Sequence, residues 1–358
     1  MIYSRVFKSV NLYFFPNLQK KTFEYNFKLK PTSVLVKTIQ CGYCGTDKKL
    51  VNYDFSLLSS AFLDTARHKN KSMYLGHEAV GRIIKVGNNV KDLKINDKVI
   101  IDSVNRKEDI DNKDIFNGFT NFFVKDQKKL IKIDNKIHDD QAILIEPLAC
   151  SLGAIKKTII KKNEKILVLG AGIIGTGIVH LLRYYYKKNI NITIATNSLS
   201  HKKMLSYRMV DNIIYNKDLF DESKKILKSK SVSIMNNKIL SKGFDKVFEC
   251  TGNVDILNTI LRICDKGAHI VLTGMNMQTA KFDLTPIWHR DIKIFGAHGY
   301  KKRYPKSKHE TLNYISKLIL KKKINLSKLK IKKIYFKNWK DLFNENNHEY
   351  LKKALFFK

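Results

Sequence analysis

Residues Ile166–Leu169 form an apolar run, preceded by Lys165, that passes directly into Gly170-Ala171-Gly172-Ile173-Ile174-Gly175, and the apolar character continues to Leu182. A short apolar run bounded by glycine reads as a buried strand, and the longer apolar stretch behind it as a helix. A Gly-x-Gly-x-x-Gly pattern by itself is common. Set between a strand and a helix it is a dinucleotide-binding fingerprint: Gly170, Gly172 and Gly175 admit a pyrophosphate to the backbone, and the helix opening at Ile173 and Ile174 offers N–H donors and a positive dipole end. A membrane span is the competing reading of Ile166–Leu182. It fails on length, since a bilayer takes roughly 20 apolar residues, and four glycines interrupt the stretch.

The next strand is expected at Ile192–Thr196, with further strands at Lys246–Glu249 and His269–Leu272, as in a doubly wound sheet. In that arrangement an acidic residue after the second strand holds the ribose 2′-hydroxyl. Asn197 stands there instead, followed by Ser198, His201, Lys202 and Lys203. A neutral amide with Ser198 and Lys202 nearby suits a 2′-phosphate, so NADP is expected to be preferred over NAD or used comparably with it. Phe282–Phe295 is expected to lead out of this domain.

The remaining length decides that a second domain exists, because 358 residues exceed what one core of ordinary size needs. Hydrophobic residues at 44% and aromatics at 11% exclude overall disorder. Five cysteines do not suggest a disulfide framework, and Arg5, Lys8 and Asn11 break up the apolar residues of the N-terminus, so a cytoplasmic setting is expected. The formal net charge of +35 raises nucleic acid or an acidic surface as partners. The lysines are spread along the chain without interleaved stacking aromatics, and they read as solvated faces. Neither nucleic acid nor membrane is expected as a partner.

Ahead of the glycine-rich turn, Ile2–Phe15, Phe23–Leu29 and Ser33–Ile39 read as strands of a β-rich domain. The third delivers Cys41-Gly42-Tyr43-Cys44-Gly45-Thr46-Asp47, whose glycines read as a turn, and Gly76-His77-Glu78 and Glu146-Pro147 follow downstream. Thiolate, imidazole and carboxylate are the side chains that hold Zn²⁺ with one position open to water or substrate. A lone histidine is more often a satisfied core residue than a ligand. The pairing of His77 with Cys44 reverses that judgement. Glu78 is either a direct ligand or a carboxylate behind the ligands. Cys41 completes a C-x-x-C pair, but its all-β context does not suit a redox motif, and it reads as a small buried hydrophobe. Asp47 is a candidate to hold a ligand imidazole.

These motifs in this order, Cys-Gly-Thr-Asp, Gly-His-Glu, Glu-Pro-Leu and then the glycine-rich turn, resemble the zinc-dependent medium-chain dehydrogenases, in particular their polyol and sugar branch. The resemblance implies an α/β chain with a GroES-like β-rich catalytic domain over residues 1–150, a Rossmann doubly wound nucleotide-binding domain over 151–294, and a C-terminal segment 295–358 that completes the catalytic domain. It implies that Thr46 relays the alcohol proton, that Glu146 is the third zinc-side carboxylate, and that Cys250 and Thr251 lie beside the nicotinamide. A helix-capping role is the competing reading of Glu146. Many relatives carry a second, structural zinc on four cysteines, but Ser103–Asn117 has none, so one catalytic zinc is expected. The implied reaction interconverts a secondary alcohol and a ketone on a polyol, sugar or cyclitol, in a homodimer or homotetramer. Two rivals are a polyol-phosphate dehydrogenase of the ribitol-5-phosphate type and a non-catalytic nucleotide-binding protein.

Overall fold

The computed structural model describes residues 2–12, 18–51, 74–103, 117–198, 209–234, 237–274, 281–300, 309–326, 329–344 and 350–357. The chain divides into two compact units, Met1–Glu146 with Tyr304–Lys358, and Pro147–Arg303.

The first unit begins with an antiparallel ribbon of β1 (Ile2–Leu12) and β2 (Leu18–Lys28). It continues with β3 (Ser33–Gly42), β4 (Glu78–Val86), β5 (Lys98–Ile101), β6 (Phe122–Asp126) and β7 (Leu130–Lys132). The chain order then passes through the second unit, with β8 (Lys165–Leu169), β9 (Asn191–Ala195), β10 (Asn212–Ile214), the hairpin β11 (Ser231–Ile234) and β12 (Asn237–Leu240), β13 (Phe244–Glu249), β14 (Cys264–Leu272) and β15 (Lys293–Gly296). It returns with β16 (Ile331–Tyr335) and β17 (Lys352–Phe356).

In the first unit the main sheet runs β16-β17-β3-β4-β5-β7, with β6 also on β3. Antiparallel register sets Gly42 opposite Glu78 on one side and Ala354 on the other. The end of β3 therefore lies between the start of β4 and the start of β17. The turn expected after β3 is instead a helix, Gly45–Val51. Asp47 explains it: its carboxylate reaches back to the backbone N–H of Cys44 at 3.1 Å, the reciprocal half of a capping box. Two glycines in seven residues hide that signal in the sequence.

In the second unit a six-stranded sheet has the order β10-β9-β8-β13-β14-β15, with parallel pairing throughout. Renumbered within this sheet alone the order is 3-2-1-4-5-6, the doubly wound order, whose reversal point lies between β8 and β13. Leu167, Leu169, Val247, Ile270 and Phe244 join Ile260 and Leu261 in its core. Phe282–Phe295 does not lead out of the sheet. It supplies the helix Thr285–His289 and most of β15, which pairs with β14 from His269↔Lys293 onward. The alternation there is short and its outer face exposed, as at a sheet edge. Ile166–Leu182 is divided between β8 and the helix Ile173–Tyr186, and no helix among the described residues is long and apolar enough to cross a membrane.

His180 lies on the buried side of that helix and is 8% exposed. Burial pushes its imidazole down from 6.5 to about 4. The folded chain therefore holds it neutral, while the unfolded chain takes up a proton once the pH falls below 6.5. Its contribution to stability is complete above pH 6.5 and is lost progressively as the pH falls to about 4, to the extent of about 3 kcal/mol at 1.36 kcal/mol per pH unit. His180→Leu should flatten the acid limb of stability by about that amount, read from urea denaturation across the same range. An unchanged acid limb would assign the pH dependence to other groups.

Candidate active site

The sulfur of Cys44, a ring nitrogen of His77 and a carboxylate oxygen of Glu78 lie within 4.8 Å of one another. Cys44 follows β3 and precedes the short helix, while His77 immediately precedes β4, so two neighbouring strand ends deliver the three side chains. Asp47 connects them. One carboxylate oxygen accepts the Cys44 N–H, the other accepts the Gly76 N–H at 3.1 Å and lies 3.7 Å from Nδ1 of His77. Burial works against the ionised form of Asp47, but His77 and the two N–H groups hold its carboxyl below the usual range. Burial likewise opposes charge on His77. The Cys44 sulfur and Asp47 outweigh it and raise the imidazole well above its ordinary value. Thr46 Oγ1 lies 3.7 Å from the Cys44 sulfur.

Glu78 meets a partner that sequence reasoning missed. The Nζ of Lys352, at the start of β17, donates to Glu78 Oε1 at 2.6 Å and also pairs with Oε2. Both side chains are almost wholly buried. Burial opposes the charge on Lys352, yet Glu78, Cys44 and Glu146 raise its ammonium above the ordinary value. Gly42 makes room for the pair, since a Cβ there would overlap Glu78 Oε2 and come within 2.9 Å of Lys352 Cε. Glu146 stands in the first turn of the helix Ile145–Ile155 and accepts a hydrogen bond from Ser103 Oγ at 2.8 Å. Burial raises its carboxyl, with Glu78 adding to the rise and His77, Ser103 and Lys352 opposing it. Glu146 thus feels the charges of the cluster, although the three closely grouped donors are Cys44, His77 and Glu78. Cys41 is buried on β3, and burial first, then Asp47 and Glu78, push its thiol well up, in keeping with an inert side chain. The donor set suits Zn²⁺, which takes thiolate, imidazole and carboxylate in tetrahedral sites.

In the second unit Gly170 follows β8 with φ +93 and lies against the turn after β13, where a Cβ would meet Thr251 Cγ2 at 3.0 Å. The helix Ile173–Tyr186 begins with Gly172 as its N-cap, and Ile173 and Ile174 form its first residues. A Cβ on Gly175 would overlap the carbonyl of Gly170, so this glycine permits close helix–strand packing. Gly172 differs: a Cβ there would meet no protein atom within 4 Å. The fold itself does not require glycine at that position, whereas a pyrophosphate approaching the helix end would. Glu249 accepts the N–H groups of Thr251 and Gly252 at 2.6 and 2.9 Å and so shapes the turn containing Cys250 and Thr251. Asn197 is exposed, two residues beyond β9, and its Oδ1 accepts the Asn216 N–H at 3.0 Å. The Ser198 N–H is held by Thr196 Oγ1 at 3.1 Å. Lys202 lies outside the described residues, as do His201, Lys203 and most of Ser103–Asn117, the segment of the expected missing structural zinc.

Residues 30–135 match the family model described as Alcohol dehydrogenase GroES-like domain, and residues 187–316 match that described as Zinc-binding dehydrogenase. The chain belongs to the zinc-dependent medium-chain alcohol dehydrogenases. Its α/β architecture is accordingly GroES-like plus Rossmann. This family member is similar to D-xylulose reductase of Saccharomyces cerevisiae, at 24% identity over 335 residues, covering 89% of this chain and 88% of the relative. It is 25% identical to sorbitol dehydrogenase of Mus musculus over 295 residues, 78% of either chain. Among solved structures it resembles 2R,3R-butanediol dehydrogenase from Bacillus subtilis with a TM-score of 0.76 at 19% identity, over 98% of this chain and 99% of that one.

One signal could have pointed to Lys352. It alternates with Ala354 on β17, and both face inward, so a cation stands where the strand period calls for an apolar residue. Removing it leaves a buried carboxylate uncompensated. Lys352→Met should destabilise this family member by about 3–5 kcal/mol in denaturant titration, and the double change with Glu78→Gln should recover much of the loss. Additive losses in the double variant would mean that the pair does not act as a unit.

Proposed function

We propose that the chain is a zinc-dependent NAD(P)-linked oxidoreductase that interconverts a secondary alcohol and a ketone on a polyol, sugar or cyclitol. The convergence of Cys44, His77 and Glu78, with Glu146 beside them, carries this reading. The similarity to enzymes named for xylulose, sorbitol and butanediol supports the substrate class. In this reading residues 1–146 and 304–358 form the catalytic domain and residues 147–303 the nucleotide-binding domain.

When bound, zinc supplies Lewis acidity that lowers an alcohol's pKa and polarises a carbonyl, and the nicotinamide supplies the hydride acceptor. Cys44 and His77 are the zinc ligands, with Glu78 or Glu146 as the third protein donor. Asp47 fixes the orientation of the His77 ring and of the Cys44 backbone. Lys352 neutralises Glu78 and restrains it in a buried ion pair, whereas Glu146 is held by a hydrogen bond from Ser103. Thr46 accepts the alcohol's proton on its hydroxyl and passes it toward solvent. Gly170, Gly172 and Gly175 hold the dinucleotide's pyrophosphate with the N–H groups of Ile173 and Ile174, while Cys250 and Thr251 border the nicotinamide.

Cytoplasmic residence and a homodimeric or homotetrameric state belong to the same proposal. Five free cysteines support the first. The second is supported by β15 at the edge of its sheet, preceded by exposed Leu284 and by Trp288, which is 80% exposed.

Purified protein should contain about one zinc per chain. Cys44→Ser and His77→Ala should each remove the metal and the polyol activity while the far-ultraviolet dichroism stays. Two tightly held zinc ions, or turnover surviving in either variant, would place the chemistry elsewhere. Glu146→Gln distinguishes its two roles: a carboxylate working at the metal loses turnover, whereas a helix cap loses only about 0.3–1 kcal/mol of stability.

The cofactor reading extends to NADP, preferred or comparable with NAD, with Asn197, Ser198 and Lys202 receiving the 2′-phosphate. Asn197→Asp keeps an acceptor for the Asn216 N–H, so the local fold should survive. It adds a ribose acceptor and a charge that repels phosphate. The ratio of kcat/KM values should move toward NAD. A wild-type preference for NAD that the substitution leaves untouched would remove Asn197 from the cofactor site.

A further inference from the structure

The connection that follows β5 holds a second buried pair next to the cluster. Asp102 Oδ2 lies 2.5 Å from His309 Nδ1, and each side chain is 8% exposed. The other ring nitrogen of His309, Nε2, is buried without a hydrogen-bond partner among the described residues. His309 also has a left-handed backbone, with φ 57, just ahead of the helix Glu310–Leu320. Non-glycine residues are uncommon in that region, and histidine, like asparagine and aspartate, enters it more readily than most.

The chemistry of the pair defines what Nε2 can do. A carboxylate on Nδ1 fixes the ring proton there, which leaves Nε2 with a lone pair as an acceptor in the neutral imidazole. An acceptor buried without a donor is costly, and the cost disappears when an O–H or N–H reaches it. Its position suggests which donor. Ser103, the residue next to Asp102, donates to Glu146, which feels the charges of His77 and Glu78, so adjacent positions on one stretch of backbone, with Cα atoms about 3.8 Å apart, hold the His309 ring and a carboxylate beside the cluster.

We propose that His309 is a substrate-binding residue, whose Nε2 accepts a hydrogen bond from a second hydroxyl of a polyhydroxylated substrate, away from the carbon that is oxidised. Asp102 is its positioning residue, setting the tautomer and the ring plane. The inference rests on the dehydrogenase reading given above and adds the reason for a preference for polyols over monohydric alcohols. A site built around a hydroxyl discriminates strongly against an analogue that lacks it, because the buried acceptor is then left unpaired.

His309→Asn isolates the role. Asparagine tolerates the left-handed backbone and its amide can still donate to Asp102, but it does not reach the position of Nε2. Wild type and variant are assayed on the best polyol from a panel and on that polyol's monodeoxy analogues, with zinc content measured in both. One deoxy analogue should be about tenfold poorer than its parent for the wild type, mainly in KM. His309→Asn should lower the parent to that analogue's level and leave the analogue itself and the zinc content unchanged. An equal loss on parent and analogue, or no loss on the parent, overturns the proposal: the ring is then a structural prop or holds only a water. A wild type that oxidises no alcohol at all overturns the dehydrogenase reading instead, and this inference with it.

Discussion

The arrangement of the cluster depends on the carboxylate of Asp47. Two loops from different strand ends must present a sulfur and an imidazole a few ångströms apart, and nothing in β pairing alone would hold them there. Asp47 accepts one N–H from each loop and lies against the His77 ring. Its burial would be costly without those partners, and with them the site is a closed network in which each member satisfies another. The same carboxylate nucleates the helix Gly45–Val51, so one side chain sets both the local fold and the ligand geometry.

Charge balance is the second constraint. Glu78, Glu146, Asp47 and the Cys44 sulfur place several potential anions in a small volume of low dielectric, and among the described residues Lys352 faces them as a cation, while His77 is neutral when it serves as a ligand. A divalent metal fits such a surplus, because it neutralises charge that the protein does not balance by itself. The register of β17 on β3 and the absence of a side chain at Gly42 are what allow the lysine into this volume.

The strand and glycine turn at Lys165–Gly175 were legible in the sequence, and so was the candidate grouping of Cys44, His77 and Glu78. Their signals are short in range, since a turn or a cap is specified by neighbours. Lys352 left only a faint mark, a cation at an inward position of β17, and His309 left none, because each acquires meaning only through a partner more than two hundred positions away, Glu78 and Asp102 respectively. In a chain with 67 lysines and arginines a single functional lysine carries no compositional mark. The helix at Gly45 was obscured by glycines that favour a turn. The edge strand β15 was obscured by its brevity, and its place became evident only from pairing with β14.

The late arrival of β17 has a consequence for synthesis on the ribosome. The sheet of Pro147–Arg303 draws every strand from one continuous stretch of chain, but β3 waits for a neighbour that is translated some three hundred residues after it. Until residues 352–356 emerge, β3 lacks that pairing partner and Glu78 lacks its counter-ion. At roughly 5–20 residues per second that interval lasts tens of seconds. During it Gln40–Gly42 of β3 lack their neighbour on that side, and an unpaired stretch of strand is a template for wrong pairing.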